Sequence, residues 1–236
     1  MLLVMKLSLN LALLLGCAFS AVAGGDICAL TEQVAATYGG QSALEKAAHL
    51  REEGMVESAM RSSSTNPVVR IFSRPKKLRV EVRRSPQPEV RVLSDAKGWR
   101  DGKEATGPGY DAMVLQAVRL DLPWQLLNHR QELTAKPAME HEGHKLSVLE
   151  LKLDGDLLVT AGIDPESGHI LYSSGTLKGG EMGPTKFETY YDDFKTVDGV
   201  LFAFKETNMA QGMKTAETRL TKIEILKEAP TEAFTP

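Results

Sequence analysis

The chain has 236 residues and a formal net charge of −3, and 42% of its residues are hydrophobic. This length and apolar content suffice for one domain with a substantial core. The slightly acidic balance argues against nucleic acid as a partner, because phosphate binding depends on clustered lysine and arginine.

The first 23 residues have the pattern of a secretory signal peptide. Lys6 precedes an apolar run of roughly a dozen residues, and the small residues Ala21 and Ala23 follow that run. The run is short for a membrane span, which needs about 20 apolar residues. The pattern predicts cleavage after Ala23 and export as a soluble protein. The segment Leu-Leu-Gly-Cys at 14–17 also resembles a bacterial lipobox, so lipid attachment at Cys17 is an open alternative.

The cysteine content predicts a fold without an internal disulfide. The chain has two cysteines, and removal of a signal peptide would leave Cys28. In an oxidising compartment this thiol either pairs with another chain or is buried and inert. The core must therefore hold the fold without covalent links.

Residues 24–236 are interpreted as a single domain that begins with two short helices. Ile27, Val34 and Tyr38 recur at helical spacing, and Gly39 is suited to end that helix. A second helix is predicted over 41–50. Strand-like alternation then recurs at short intervals, as in an antiparallel meander. The predicted strands of this part cover 50–60, 68–73, 77–84, 89–95 and 98–103.

The segment 110–130 changes to helical period. Met113, Val114, Ala117 and Val118 form one apolar face, and Pro123 is well placed to open a second short helix. Strands are again predicted over 144–153, 156–163, 169–177, 185–195, 200–208 and 217–226. The total of about eleven strands with helices inserted midway favours a strongly bent antiparallel sheet with helices on its concave side. Such a sheet either has a filled core or leaves an apolar cavity for a ligand.

One dipeptide interrupts this sheet in an unusual way. Proline cannot donate to a strand ladder, so Pro75 should lie at a strand start, an edge or a bulge. Arg74 precedes it directly, beside a hydrophobic face. On the residues alone, Arg74 is a solvated charge at the end of a strand.

Three features of this region form a pattern: Arg74-Pro75, the apolar Leu78 that follows, and the stretch at 90–99 that ends in Trp99. The pattern resembles the periplasmic outer-membrane lipoprotein carrier family (LolA/LolB-type). The segments 36–56 and 190–206 are similar to the broader lipoprotein-sorting-like group. The resemblance implies a mainly β fold with helices (α+β), an incomplete antiparallel β-barrel of about ten or eleven strands covered by short helices.

The resemblance also implies a function and a set of site residues. Arg74 would donate to backbone carbonyls of a lid formed by the helices near 110–130, and Leu78 would line the cavity beside it. Pro75 and Trp99 complete the cavity-and-lid motif. The implied ligands are acyl chains of lipids or lipoproteins, bound by a monomeric carrier or chaperone with membrane-bound donor or acceptor proteins as partners. A lipid-sensing regulatory or structural envelope protein of the same fold, without transported cargo, is the alternative.

Catalytic patterns are weak, so we expect neither an enzyme nor a cofactor. His141 and His144 could contribute to a metal site, but no third ligand is evident and no metal is expected. Asp192 and Asp193 are adjacent, and adjacent residues of a strand point to opposite faces, which does not suit a paired acid and base. No Gly-x-Ser-x-Gly elbow is present.

Overall fold

The computed structural model describes residues 23–59, 64–180 and 183–236. The predicted signal peptide, with Cys17, lies outside these ranges apart from its last residue. Within them, no helix is long and apolar enough to cross a membrane. Cys28 is a free, partly buried thiol on the first helix.

The described residues form four α-helices, two short 3-10 helices and thirteen strands. The α-helices are α1 (Ala23–Thr37), α2 (Gln41–Lys46), α3 (Pro108–Leu120) and α4 (Leu122–Asn128). The 3-10 helices are Asp154–Asp156 and Thr231–Phe234. The strands of the first half are β1 (His49–Ser58), β2 (Thr65–Ser73), β3 (Lys77–Val82), β4 (Glu89–Ser94), β5 (Lys97–Arg100) and β6 (Lys103–Ala105). Those of the second half are β7 (Thr134–His141), β8 (His144–Lys152), β9 (Leu158–Ile163), β10 (Ile170–Gly180), β11 (Gly183–Val197), β12 (Val200–Ala210) and β13 (Met213–Ile225).

All thirteen strands belong to one antiparallel sheet with two wings. One wing runs from β1 to β6 and the other from β7 to β13, and the wings are joined because β1 pairs with β13. β6 and β7 are the two edges, so the sheet is not closed into a barrel. The predicted fold class, a mainly antiparallel and incomplete barrel with short helices, is confirmed.

The structure has two more strands than the sequence predicts. The segment 98–103 is not one strand: Asp101 and Gly102 have φ values of 51° and 75° and turn the chain between β5 and β6. The sequence does not predict β7, because its residues are almost all exposed and no apolar alternation marks it. Pro137 lies inside β7, which is tolerated because β7 is an edge strand.

The helices cover the concave face of the sheet. α3 contacts β3, β4 and β5 of one wing and β9 and β10 of the other, while α4 packs against α1 and α2. The apolar face predicted for α3 is confirmed, since Met113, Val114, Ala117 and Val118 are all buried. One hydrophobic core therefore lies between the helices and the sheet.

The junction of the two wings contains a close backbone contact. The register of β1 against β13 shifts between Glu53 and Gly54. A Cβ atom at Gly54 would lie 2.2 Å from the carbonyl oxygen of Arg219 and 2.8 Å from the Cα of Leu220. These are backbone atoms of the paired strand, so they cannot move aside as a flexible side chain does.

We expect Gly54→Ala to lower the free energy of unfolding by about 1–3 kcal/mol, because the two strands must separate to admit the methyl group. Urea denaturation measures this change. Gly109→Ala is the matched control, since a Cβ at Gly109 in α3 meets nothing closer than 3.8 Å. Equal stability of the Gly54 variant and the parent would contradict the prediction.

Candidate functional site

Arg74 lies directly after β2 and joins three segments of the chain. Its Nε donates to both carboxylate oxygens of Asp121 at 2.8 and 3.0 Å, and its Nη2 donates to one of them at 2.7 Å. Nη2 also donates to the carbonyl of Leu44 at 2.7 Å, and Nη1 to that of Glu45 at 3.4 Å. Arg74 thus connects the end of β2 with the end of α2 and with the junction between α3 and α4.

Asp121 is the main partner of Arg74 and is 4% exposed. Burial raises the pKa of the Asp121 carboxyl above its ordinary value, although hydrogen bonds from Arg74 and Gln125 act in the opposite direction. The guanidinium carbon of Arg74 also lies 4.3 Å from the ring centroid of Trp124, a cation–π contact. We call Arg74, Asp121 and Trp124 the Arg74 latch.

The latch differs in chemistry from the contact that the family resemblance implies. The carbonyls that Arg74 binds belong to α2, whereas the 110–130 segment contributes a buried carboxylate and an aromatic ring. No sequence signal connects Arg74 with Asp121, because they are 47 residues apart.

The other predicted site residues occupy a turn, the core and a short strand. Pro75 is in the turn between β2 and β3, outside the strand ladder. Leu78 is 1% exposed and packs in the core, opposite Phe72 on the neighbouring strand. Trp99 is half-buried on β5. Of the four predicted residues, Arg74 lines a cavity beside the helices, and the other three do not line that cavity or the one beneath α3.

Two cavities lie between the concave face and the helices. The smaller, about 80 Å³, is beside the Arg74 latch, and Arg74 and Asp121 contribute to its wall. The larger, about 250 Å³, lies beneath α3 and is bounded by strands of both wings. We call the larger one the α3 cavity. Arg119 and Glu206 line both cavities, so polar groups separate them.

A buried ion group crosses the concave face at this boundary. Arg70 donates two hydrogen bonds to the carboxylate of Glu206, at 2.7 and 2.8 Å. Its Nε lies 2.6 Å from a carboxylate oxygen of Glu52, which is directly opposite on β1. The three residues are 4–7% exposed. One arginine therefore faces two carboxylates in a site with little water.

The two carboxyls of this group respond differently to burial. Burial raises the pKa of Glu52, and the charge of Arg70 only partly offsets that effect. Burial acts in the same sense on Glu206, but the charge of Arg70 and its hydrogen bonds outweigh it and hold the pKa of Glu206 below its ordinary value. Arg70 makes two hydrogen bonds to Glu206 and one close contact to Glu52, so it holds the two carboxylates unequally.

Three further arginines line the α3 cavity: Arg84, Arg91 and Arg119. Arg119 of α3 donates to the hydroxyl of Thr189. Arg91 of β4 donates to Oε1 of Gln116 at 3.0 Å, and its Nε lies 3.5 Å from a carboxylate oxygen of Glu89. The lining is therefore mixed, whereas the sequence predicts an apolar cavity.

A signal for these charges was present in the strand patterns. Arg70 has the same alternation phase as the buried Val68 and Phe72, and Glu206 has the phase of the buried Phe204. In a strand with one dry face, a charged residue in the apolar phase is expected to be buried and paired. The pattern alone does not identify the partner.

The histidines and aspartates that the sequence singles out contact aromatic and charged neighbours. In the described residues, no group of three or more His, Cys, Asp or Glu side chains is arranged to hold a metal ion. His141 stacks on Tyr190, with ring centroids 4.3 Å apart. Asp192 and Asp193 form exposed ion pairs with Lys205 and Lys195.

The open antiparallel sheet with helices across its concave face is a LolA-like fold. This fold agrees with the family that the Arg-Pro motif resembles. No protein-family model matches the sequence. No curated protein matches it either.

Solved structures share the fold at low sequence identity. A LolA superfamily protein from Nitrosomonas europaea is 10% identical, with a TM-score of 0.56 over 92% of this chain and 99% of that one. An outer membrane lipoprotein-sorting protein domain from Vibrio parahaemolyticus is also 10% identical, with a TM-score of 0.54 over 89% and 97%. A DUF1329 family protein from Desulfovibrio piger has a TM-score of 0.53 at 10% identity, over 90% and 96%.

Proposed function

We propose that the chain is an exported periplasmic protein that binds acyl chains of lipids or lipoproteins, as a carrier or chaperone in envelope lipoprotein sorting. The α3 cavity is the observation that carries this proposal, because it lies between both wings of the sheet and a helix that can act as its lid. Much of its wall is apolar. The apolar side chains that line it include Val56, Val68, Val80, Val82, Leu115, Leu177 and Phe187.

Binding would draw on the hydrophobic effect. Each CH₂ group that moves from water into the apolar part of the cavity contributes about 0.8 kcal/mol. No catalytic step is required, and a monomer suffices to enclose the ligand. The predicted signal peptide supports export, and the neighbours named as lipoprotein-sorting or LolA superfamily proteins support the ligand class.

The Arg74 latch would control access to the cavity. Asp121 directly follows α3, so the contact with Arg74 fixes the C-terminal end of this helix. Lifting α3 from the concave face requires the latch to open or α3 to bend. Leu78 lies on the same face of β3 as the cavity-lining Val80 and Val82, and would extend that wall into the packed core. Pro75 would support the turn between β2 and β3, and Trp99 would support the turns that flank β5.

We expect a fluorescent fatty-acid probe to bind residues 24–236 saturably at micromolar concentration, with displacement by phospholipid or lipopeptide. Ala216 lines the α3 cavity, so Ala216→Phe should fill it and weaken probe binding at least tenfold. Ala96→Phe, in the exposed turn between β4 and β5, is the matched control and should bind as the parent does. Probe fluorescence titration measures all three proteins.

Absence of saturable binding by a folded sample would contradict the proposed function. Unchanged binding by Ala216→Phe would contradict the choice of cavity. Transfer of bound probe to acceptor vesicles distinguishes a carrier from a lipid-sensing or structural protein, which would retain its ligand or bind none.

A further inference from the structure

Guanidinium groups are concentrated around the α3 cavity, although the chain as a whole has a charge of −3. The lining contains four arginines: Arg70, Arg84, Arg91 and Arg119. It contains two carboxylates, Glu188 and Glu206. The cavity wall is therefore richer in positive charge than the rest of the protein.

The two carboxylates of the lining already have partners. Glu206 receives the paired hydrogen bonds of Arg70. Glu188 accepts hydrogen bonds from Lys186 at 2.7 Å and from the Tyr172 hydroxyl at 2.8 Å. Neither carboxylate is within ion-pair distance of another arginine of the lining. The positive charge of the remaining arginines must be balanced in another way.

Glu89 is the carboxylate nearest to Arg91, and it is shared among three arginines. It lies 2.8 Å from Arg84, 3.5 Å from Arg91 and 3.4 Å from Arg100. Arg119 has no carboxylate within 4.0 Å among the residues that the structure describes, and it donates to the neutral hydroxyl of Thr189. This end of the cavity has an excess of cationic groups.

The backbone geometry places Arg91 and Arg70 in one row. Arg70, Val80 and Arg91 are directly opposite one another on β2, β3 and β4, so their side chains share one face of the sheet. The Nε–H groups of Arg91 and Arg119 are buried, and in the described ranges they have no hydrogen-bond acceptor. Burial lowers the pKa of Arg91, and repulsion from neighbouring arginines adds to this effect. The end of the cavity at Arg91 and Arg119 thus has more guanidinium than carboxylate groups.

We propose that the α3 cavity binds a single-chain amphiphile with an anionic head group, a carboxylate or a phosphate, held by Arg91 and Arg119. This inference rests on the proposed function, since the apolar wall takes the acyl chain. Arginine suits the role because its planar donors match both anions bidentately. The volume of about 250 Å³ is close to the lower end of ligand sites, about 300–1,000 Å³, which favours one chain over several.

Ligands with identical chains and different head groups test this inference. We expect laurate or dodecyl phosphate to displace the fluorescent fatty-acid probe at a concentration at least tenfold lower than 1-dodecanol, at pH 8. The relative affinities of laurate and dodecyl phosphate then identify the preferred anion. Arg91→Gln and Arg119→Gln should each weaken binding of the preferred anion about tenfold and leave 1-dodecanol unaffected.

Arg83→Gln is the matched control, because Arg83 lies just beyond β3 with a side chain that is 61% exposed. It should bind all three ligands as the parent does. Equal affinity of the parent for all three ligands would overturn the anionic head-group site while leaving acyl binding intact. Failure of the folded parent to bind any of them would instead overturn the proposed function. If Arg119→Gln does not fold, the ligand comparison in the parent and in Arg91→Gln decides the question.

Discussion

Replacement of Arg70 by methionine is expected to lower the free energy of unfolding by about 3–5 kcal/mol, the range for removing one member of a buried ion pair. The variant would leave Glu52 and Glu206 facing each other on the concave face without a counter-charge. Both are 5–7% exposed, so water cannot compensate for the lost guanidinium. Urea denaturation of the parent and the variant measures the difference.

Two further variants test whether the lost stability comes from breaking the buried ion group or simply from removing any arginine. Arg51 of β1 is 36% exposed and pairs with Glu53, so Arg51→Met should change stability by no more than about 1 kcal/mol. The triple variant Glu52→Leu, Arg70→Met, Glu206→Leu replaces the whole ion group with apolar residues and should recover most of the lost stability. A single Arg70→Met variant as stable as Arg51→Met would show that the ion group contributes little.

Replacement of Arg74 by leucine is expected to destabilise the protein by about 3–5 kcal/mol as well, because it leaves the buried carboxylate of Asp121 unpaired. The loss should concentrate in α3 and α4, whose junction the latch holds to the sheet. Limited proteolysis should therefore cut the variant within 108–128 sooner than the parent. Arg74→Lys should restore part of the effect, because lysine keeps the charge but lacks the planar fork.

The stability of the Arg74→Leu variant should also depend more steeply on pH than that of the parent. Burial raises the pKa of Asp121 in the folded protein, so the folded state binds more protons than the unfolded state above the ordinary aspartate range. The stability that comes from this extra proton binding by folded Asp121 is present at low pH. It is lost as the pH rises through the raised pKa of Asp121. Removal of Arg74 raises that pKa further, since its hydrogen bonds favour the charged form. We therefore expect a larger difference between parent and variant at pH 8 than at pH 5.

The double variant Arg74→Leu, Asp121→Asn is the control for this pH dependence, because it has no carboxyl at position 121. Its stability relative to the parent should vary much less between pH 5 and pH 8 than that of Arg74→Leu. An identical pH profile for the single and double variants would exclude Asp121 as the titrating group. Unchanged proteolysis of Arg74→Leu would show that the latch does not hold the helices.

Local sequence patterns were sufficient for most of the fold. Alternation of apolar and polar residues located eleven strand segments, and the helical face of 113–118 located α3, because both depend on residues close together in the chain. The two strands that the sequence does not predict lack such a pattern. β6 has three residues, and β7 exposes both of its faces.

The charged partners of the site depended on the tertiary structure. The Arg-Pro motif singled out Arg74, yet Asp121 became its partner only when the α3–α4 junction folded back over β2. Arg70 and Glu206 are 136 residues apart, and they meet because the pairing of β1 with β13 brings the two wings together. Strand periodicity is set by neighbouring residues and is readable in the sequence. The pairing of buried charges depends on which distant strands and helices pack together. The partners of Arg70 and Arg74 could therefore be identified only from the tertiary structure.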